Sequence, residues 1–452
     1  MNSAIFKTYD IRGVYPEEIN EQSVSKIVQA LVSVLQPKNC ALGMDVRQSS
    51  PALFEIAKKS LVEAGVDVYD IGQISTDMLY FAVSYYGWDA GITITASHNP
   101  REYNGMKMIE KGSAPIFEGH LLPEIKKLAM DPTFSLKEEK SGQIFKKEVL
   151  ADYILKVREI SSFDRVKPMR VVLNGNFGLG GKIFKEIVKD SPLELIELNC
   201  EPDGTFPKGR PDPLVPENRE ETLAKIKETG ADIGFAWDAD ADRCFIYNEK
   251  GEAVDGSFMG SLLTQIVLEN KEKGQTVIYD PRIVWAVRET VEKLGGMPFP
   301  TKVGHAFIKH KMREKGAILA VEGSGHFYFR DFYFCDNGMI SALLILRYLS
   351  EKGLPLSEIL RPLTDKYFVS GEINFMAENK DEIVEALKND YAEGKFDDLD
   401  GISIEYPNFR FNVRKSNTEP LLRLNLEARS AEELKQRKRE LVEKIEGMRR
   451  EA

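Results

Sequence analysis

Short apolar runs alternate with stretches in which apolar positions recur at helical spacing, from about residue 24 to residue 322 of the chain. That alternation predicts βαβ units and parallel sheets. Residues 24–35 read as an amphipathic helix and CALGMD (40–45) as a strand. A helix over 50–65, a strand over 66–72, a helix over 78–86 and the strand AGITITAS (90–97) follow. The next stretch repeats the pattern: RVVLNG (170–175), a helix over 181–188, LELIELN (193–199), a helix over 217–229 and DIGFAWD (232–238). The third reads as a helix over 259–272, TVIYD (276–280), a helix over 284–294, a short strand over 297–300, a helix ending at 315, and AILAVE (317–322).

Each of these stretches closes on an apolar strand followed by a polar loop: TASHNP (95–100), DADADR (238–243) and EGSGH (322–326). Ligands of open α/β sheets bind beyond the carboxyl ends of strands. The three loops are therefore either the walls of one shared site or ordinary βα connections. From about residue 366 the pattern changes to mixed strand and helix, with RKSNTEPLLRLNLEAR (414–429) and a charged helix over 431–450. The expected fold is α/β, with three topologically similar βα-repeat domains of mixed or parallel sheets plus a smaller α+β C-terminal domain around a central cleft. The expected boundaries are residues 1–148, 149–252, 253–365 and 366–452.

Composition adds exclusions. A chain of 452 residues, 42% apolar and 29% charged, has the make-up of a globular protein of several domains. Its four cysteines lie far apart with no C-x-x-C pair. That argues against a zinc site or a disulfide framework and for a reducing cytoplasm. The opening MNSAIFKTYDIRG has neither the basic nor the apolar stretch of a signal peptide, and no apolar run approaches a membrane span. The net charge of −10 disfavours non-specific nucleic-acid binding. It leaves an anionic small substrate open, because screening over about 8 Å lets local arginines and lysines decide.

The loops carry the chemistry. Ser97 follows a strand that would hold it rigidly, with His98 beside it and Lys107 in the next segment. TASHNP is either an activated serine or a Ser/Asn/Pro turn. In DADADR, alternate residues of an extended segment project to one side, so Asp238, Asp240 and Asp242 would converge on a cation. An all-carboxylate set suits Mg²⁺ or Ca²⁺. An EF-hand is rejected: Arg243 stands where that loop needs glycine, and the flanks FAW and CFIY read as strands. Glu322 and Ser324 of EGSGH can hold sugar hydroxyls, a carboxylate being a good acceptor for vicinal ones. RKSNTEP with Arg423 is a phosphate cradle or a simple turn.

Taken in order, YDIRG (9–13), GMDVRQSSP (43–51), TASHNP, NGMKM (104–108), DADADR, KVGHAFIK (302–309), EGSGH and RKSNTEP resemble the α-D-phosphohexomutase superfamily. Within it they resemble the bacterial and archaeal phosphomannomutase/phosphoglucomutase group, and the similarity runs along nearly the whole chain. The resemblance implies four domains around a deep cleft. It implies that Ser97 is a phosphoserine and that Asp238, Asp240 and Asp242 hold Mg²⁺ together with a Ser97 phosphate oxygen. Arg243 would face the reacting phosphate. Glu322 and Ser324 would hold the sugar, and Arg414, Ser416, Asn417, Thr418 and Arg423 the phosphate that is not reacting. Tyr9, Arg12, Arg282, Lys302, Gly304, His305 and His326 would be further substrate contacts. The implied catalytic set is Ser97, Arg243, Lys107, His98 and His326. Lys107 and His326 are the candidate acid/base groups, although His326 has the alternative of only orienting the sugar loop.

The implied reaction interconverts hexose 1-phosphate and hexose 6-phosphate through a phosphoserine enzyme. Hexose 1,6-bisphosphate would be both intermediate and activator, and mannose favoured or equal to glucose. The implied partners are hexose phosphates, with no nucleic acid and no membrane, for a monomer or homodimer. Two other readings are a phosphoglucosamine mutase and a catalytically silent sugar-phosphate-binding protein. One departure bears on shape. Ala239 and Ala241 stand where relatives usually carry a glycine, and alanine disfavours positive φ. The aspartate loop is therefore expected to be fully extended or right-handed.

Overall fold

The computed structural model of the chain describes residues 1–136, 141–164, 166–282, 284–415 and 421–449. The chain divides into two compact units. The first comprises Met1–Ala253, Gly304–Ile318 and Ser324–Leu356; the second comprises Val254–Val303, Leu319–Gly323 and Ser357–Ala452.

One strand arrangement occurs three times. In the first unit, strand Asn39–Met44 lies between Ala90–Ile94 and Asp67–Gln73, parallel to both. Met169–Asn174 likewise lies between Ile233–Trp237 and Leu193–Leu198. In the second unit, Thr276–Tyr279 lies between Leu319–Val321 and Met297–Pro300. The first strand of each set is thus central, with the second strand on one side and the third on the other. Each third strand leads into one of the three polar loops. The three similar βα repeats expected from the sequence are present.

The sheets are mixed because antiparallel strands return beside the loop-bearing ones. Tyr103–Glu110 pairs antiparallel with Ala90–Ile94 and with Ile11–Val14. Cys244–Tyr247 pairs antiparallel with Ile233–Trp237. The loop-bearing strands Ala90–Ile94 and Ile233–Trp237 are buried at every position, as expected for strands covered on both faces. Their apolar sequences leave no polar face to turn to water, which is what makes each a rigid platform for the loop beyond it.

The last sheet is wholly antiparallel. Its order is Phe368–Met376, Leu421–Ala428, Phe409–Lys415, Ile402–Glu405, Lys395–Asp397. Helices Lys380–Asp390 and Ala431–Met448 pack on one face through Ile383, Leu387, Leu441 and Ile445. This is the smaller α+β part. Among the described residues no helix is long and apolar enough to cross a membrane.

Candidate active site

The serine loop starts from the end of strand Ala90–Ile94. Ser97 is buried, and its backbone is left-handed at φ 50°. That conformation costs a residue with a Cβ about 1–2 kcal/mol, so something must hold it. Arg47, itself buried, does so. Its Nη2 donates to the carbonyls of Ser97 (2.5 Å) and Asn99 (2.7 Å), and its Nη1 to those of Pro100 (2.7 Å) and Tyr103 (3.1 Å). Asp45 anchors the guanidinium at Nε, 3.1 Å. Arg12 holds the loop from another side, Nη1 to Asn99 Oδ1 at 2.7 Å, and is itself paired with Asp10.

The Ser97 hydroxyl donates to Asp238 Oδ2 at 3.1 Å and lies 3.2 Å from His98 Nδ1. Burial, with Arg243, Arg12 and Arg210 nearby, pushes the His98 pKa well below its usual value. The ring is neutral and can accept or donate one hydrogen bond.

The aspartate loop differs from expectation. It is neither extended nor right-handed throughout: Asp238–Ala241 make a turn, with the Ala241 amide donating to the Asp238 carbonyl at 3.1 Å, and Ala241 sits at φ 57°. Tertiary packing supplies what alanine lacks locally. The backbone of Ala239 rests against Gly178, where an added Cβ would come within 2.4 Å of its carbonyl oxygen. Asn176 Nδ2 ties down the Trp237 carbonyl at 2.8 Å, and the Thr76 amide holds the Asp240 carbonyl at 2.9 Å. The turn, not strand alternation, brings the carboxylates together.

Asp238, Asp240 and Asp242 each offer one oxygen within 4.8 Å of the others, and all three are buried. Two cations compensate them. Lys107 Nζ donates to Asp240 Oδ2 at 2.6 Å and to Asp242 Oδ2 at 2.5 Å. Arg243 Nε donates to Asp238 Oδ2 at 2.7 Å, while its Nη2 pairs with Asp212 at 3.3 Å. Burial pushes the Asp238 carboxyl up to about 7, against the pull of Arg243. Burial would raise Asp242 too, but Lys107 and His326 outweigh it and hold that carboxyl well below the usual range. Burial alone would lower the Lys107 pKa. Asp240 and Asp242 reverse the sign, and Lys107 stays an ammonium.

The group fits a hard divalent cation. Its donors are all carboxylate oxygens, and Asp240 Oδ1 is buried without a hydrogen-bond partner. Such an orphaned buried acceptor costs about 1–3 kcal/mol unless something fills it.

His326 also belongs to the first unit. Its Nε2 faces Asp242 Oδ1 at 3.5 Å and its Nδ1 lies 3.0 Å from Ser324 Oγ. The Gly325 carbonyl accepts from the Cys244 amide at 3.0 Å, which fixes this loop beside the strand that follows the aspartates. The His305 ring sits edge-on to Tyr9, 5.3 Å between centroids. Both of its ring nitrogens are buried without a hydrogen-bond partner. Gly304, at φ 127°, allows this, since a Cβ there would lie 2.4 Å from the Tyr9 ring. Burial, with Lys309 and Lys107 nearby, keeps His305 neutral.

In the second unit, Arg282 is held by Asp280 (Nη2–Oδ2 2.8 Å) and by Glu322 (3.2 Å). Asp280 also accepts from the Gly323 amide at 2.8 Å, so one carboxylate sets both Arg282 and the backbone of the EGSGH loop. Lys302 is exposed. Arg414 and Arg423 face each other across adjacent strands, and both donate to Glu372. Ser416, Asn417 and Thr418 lie outside the described residues.

The structure thus brings together Ser97, His98, Arg12, Lys107, the three aspartates, Arg243 and His326 in the first unit, with Tyr9, Gly304, His305 and Ser324 also there. Arg282, Glu322, Arg414 and Arg423 belong to the second. Sequence reasoning left Arg47, Asp280 and Glu372 without roles. Arg47 stands inside the quoted GMDVRQSSP, and Asp280 is the first polar residue after an apolar strand. For Glu372 the sequence carries no comparable signal.

Four segments match the family described as phosphoglucomutase/phosphomannomutase. Residues 3–133, 151–251 and 255–367 match its alpha/beta/alpha domains I, II and III, and residues 372–444 match its C-terminal domain. The chain is 41% identical over 437 residues to a phosphomannomutase of Vibrio cholerae serotype O1, covering 94% of each chain. It is 40% identical over 436 residues to a phosphomannomutase of Salmonella montevideo, covering 95% of each. Among solved structures, a phosphoglucomutase/phosphomannomutase family protein from Burkholderia thailandensis superposes with a TM-score of 0.88 at 30% identity, covering 100% of this chain and 99% of that one.

Proposed function

We propose, since the chain belongs to the phosphoglucomutase/phosphomannomutase family, that it interconverts the 1- and 6-phosphates of a hexose by way of a phosphate carried on Ser97. The observation that carries this reading is the Ser97 hydroxyl, 3.1 Å from Asp238 at the edge of a buried three-carboxylate group. Neither a phosphoglucosamine mutase nor a silent binding protein is favoured by relatives named phosphomannomutase over nearly the whole chain. The four domains are taken at residues 1–148, 149–252, 253–365 and 366–452.

Asp238, Asp240 and Asp242, with an oxygen on Ser97, would hold Mg²⁺. When bound, the ion supplies neutralisation of charge on the phosphoryl oxygens, the main need of phosphoryl transfer besides positioning. The chain's own residues do the rest. Arg47 and Arg12 fix the serine loop so that one oxygen is presented. Arg243, beside Asp238, faces the reacting phosphate. Arg414 and Arg423, with Ser416, Asn417 and Thr418, hold the other phosphate. Glu322 and Ser324 hold hydroxyls of the ring, and Tyr9, Arg282, Lys302, Gly304 and His305 line its path.

In the first half-reaction a hexose hydroxyl oxygen attacks phosphorus. The bond from phosphorus to the Ser97 oxygen breaks as the new one forms, giving hexose 1,6-bisphosphate. The fixed ammonium of Lys107 divides the two acid/base candidates. Lys107, held as an ammonium, suits the proton donor to the departing serine oxygen, and His326 suits the acceptor of the hydroxyl proton. The bisphosphate then turns end for end, and its other phosphate returns to Ser97.

Glu322 and Ser324 grip hydroxyls that lie between the two ends of the sugar, so the same contacts serve both orientations and leave carbon 2 weakly read. Large discrimination at one hydroxyl needs a buried polar group dedicated to it. Initial rates on mannose 1-phosphate, glucose 1-phosphate and glucosamine 1-phosphate, with bisphosphate activator present, test the function. Activity is expected on both mannose and glucose phosphates with kcat/KM within about a hundredfold, ~3 kcal/mol, and mannose favoured or equal. A preference for glucosamine 1-phosphate contradicts the reading.

A further inference from the structure

Arg414 and Arg423 are directly opposite each other on neighbouring antiparallel strands. Like charges so placed repel and destabilise a sheet. Between them the structure puts one carboxylate. Arg423 Nη1 donates to Glu372 Oε1 at 3.2 Å and Arg414 Nη2 to Glu372 Oε2 at 3.2 Å. Each oxygen takes one guanidinium, as two oxygens of a phosphate would.

The position of Glu372 is built by the fold. Strand Phe368–Met376 changes register between Val369 and Glu372: Val369 pairs with Glu427, but Glu372 pairs with Asn425. In a regular ladder residue 371 would stand opposite Asn425. The extra residue of the bulge moves Glu372 to the other face, where the side chains of Arg414 and Arg423 lie. Gly371, at φ 66°, makes the bend possible. Burial would raise the Glu372 pKa, but Arg282, Arg414 and Arg423 together hold it below the usual value. The group is a carboxylate at neutral pH.

We propose that Glu372 is a built-in competitor for the distal phosphate: it occupies Arg414 and Arg423 in the free enzyme and weakens their hold on a sugar phosphate. This rests on the reading that the two arginines bind that phosphate. The advantage is kinetic. An intermediate that must turn end for end has to leave this site in every cycle, and an anion returning to the arginines keeps them from gripping too hard and from repelling each other when empty. Glu372 is a positioning residue, acting through the arginines.

Glu372→Gln keeps the shape and removes the charge. With inorganic phosphate as the probe, its inhibition constant is expected to fall about fivefold, the upper end for one partly exposed charge pair. KM for hexose 1-phosphate is expected to fall in parallel, while kcat falls because turning is slowed. Glu372→Ala carries the same prediction with the side chain removed, and Glu372→Asp, which keeps the charge, is expected to stay within about twofold of wild type on the same scale. A merely structural residue would give the opposite split, with KM and the phosphate inhibition constant raised. An unchanged or raised phosphate inhibition constant in both Glu372→Gln and Glu372→Ala overturns the inference. Arg423→Ala separates the two claims. If phosphate inhibition is lost there, the phosphate site stands and the Glu372 variants decide. If it survives intact, the phosphate-site reading fails and this inference fails with it.

Discussion

Ser97→Ala is expected to lower steady-state kcat by at least about a thousandfold, ~4 kcal/mol, because the proposed carrier of the phosphoryl group is gone. The change should do little to the fold. Among the described residues the hydroxyl's polar contacts are at 3.1 and 3.2 Å, to Asp238 and His98. The left-handed backbone is held by Arg47 through carbonyls that alanine retains. The thermal midpoint should therefore stay within a few degrees, and hexose 1-phosphate should still bind by calorimetry. Residual activity above about a tenth of wild type, ~1.4 kcal/mol, in a folded and substrate-binding variant would mean that the phosphoryl group does not pass through this serine.

Lys107→Met carries the second large effect, and here the expectation concerns stability as well as turnover. Lys107 is buried and bridges Asp240 and Asp242 at 2.6 and 2.5 Å. Removing one partner of a buried pair leaves uncompensated charge and costs about 3–5 kcal/mol. The thermal midpoint should fall by several degrees, and kcat at least about a hundredfold, ~2.7 kcal/mol. Mg²⁺ should then stabilise the variant more than the wild type, because the carboxylates have lost a competing cation and a ligand that binds the folded state raises its stability. Thermal melts of both proteins with and without Mg²⁺ check this. Equal shifts in the two would remove Asp238, Asp240 and Asp242 as the cation site.

Most of the scaffold was legible from periodicity. Helix 217–229 and strand 297–300 occur with the bounds read from the sequence, because amphipathic spacing and short β-runs between glycines and prolines are local signals. Helix Gly338–Lys352 was not read. It is buried at every position from Gly338 to Leu346, and a stretch without a polar face loses the periodic contrast that marks a surface helix. Strand Ile144–Lys146 was missed for the opposite reason: three exposed residues at a sheet edge carry no pattern.

The site divides in the same way. Ser97, the aspartates and His326 announce themselves as chemistry-bearing residues after strands. The shape of the aspartate loop did not, since the left-handed Ala241 is imposed by glycines and side chains distant in sequence. The sequence presents the three carboxylates as a group in want of a cation. Lys107, more than a hundred residues earlier in the chain, already supplies much of that charge. Arg47 and Glu372 meet groups far along the chain, Arg47 the carbonyls of the serine loop and Glu372 the two arginines, and no local pattern gives those partners.

The central claim is that Ser97 carries the phosphate, and the most direct test is the mass of the protein itself. Wild-type enzyme incubated with glucose 1,6-bisphosphate and Mg²⁺ should gain a single phosphate by intact mass, mapped to Ser97 in the peptide containing TASHNP. The same phosphate should be lost when excess hexose 1-phosphate is added. A protein that turns over hexose phosphates while Ser97 stays unmodified, or that carries the phosphate on another residue, would contradict the account.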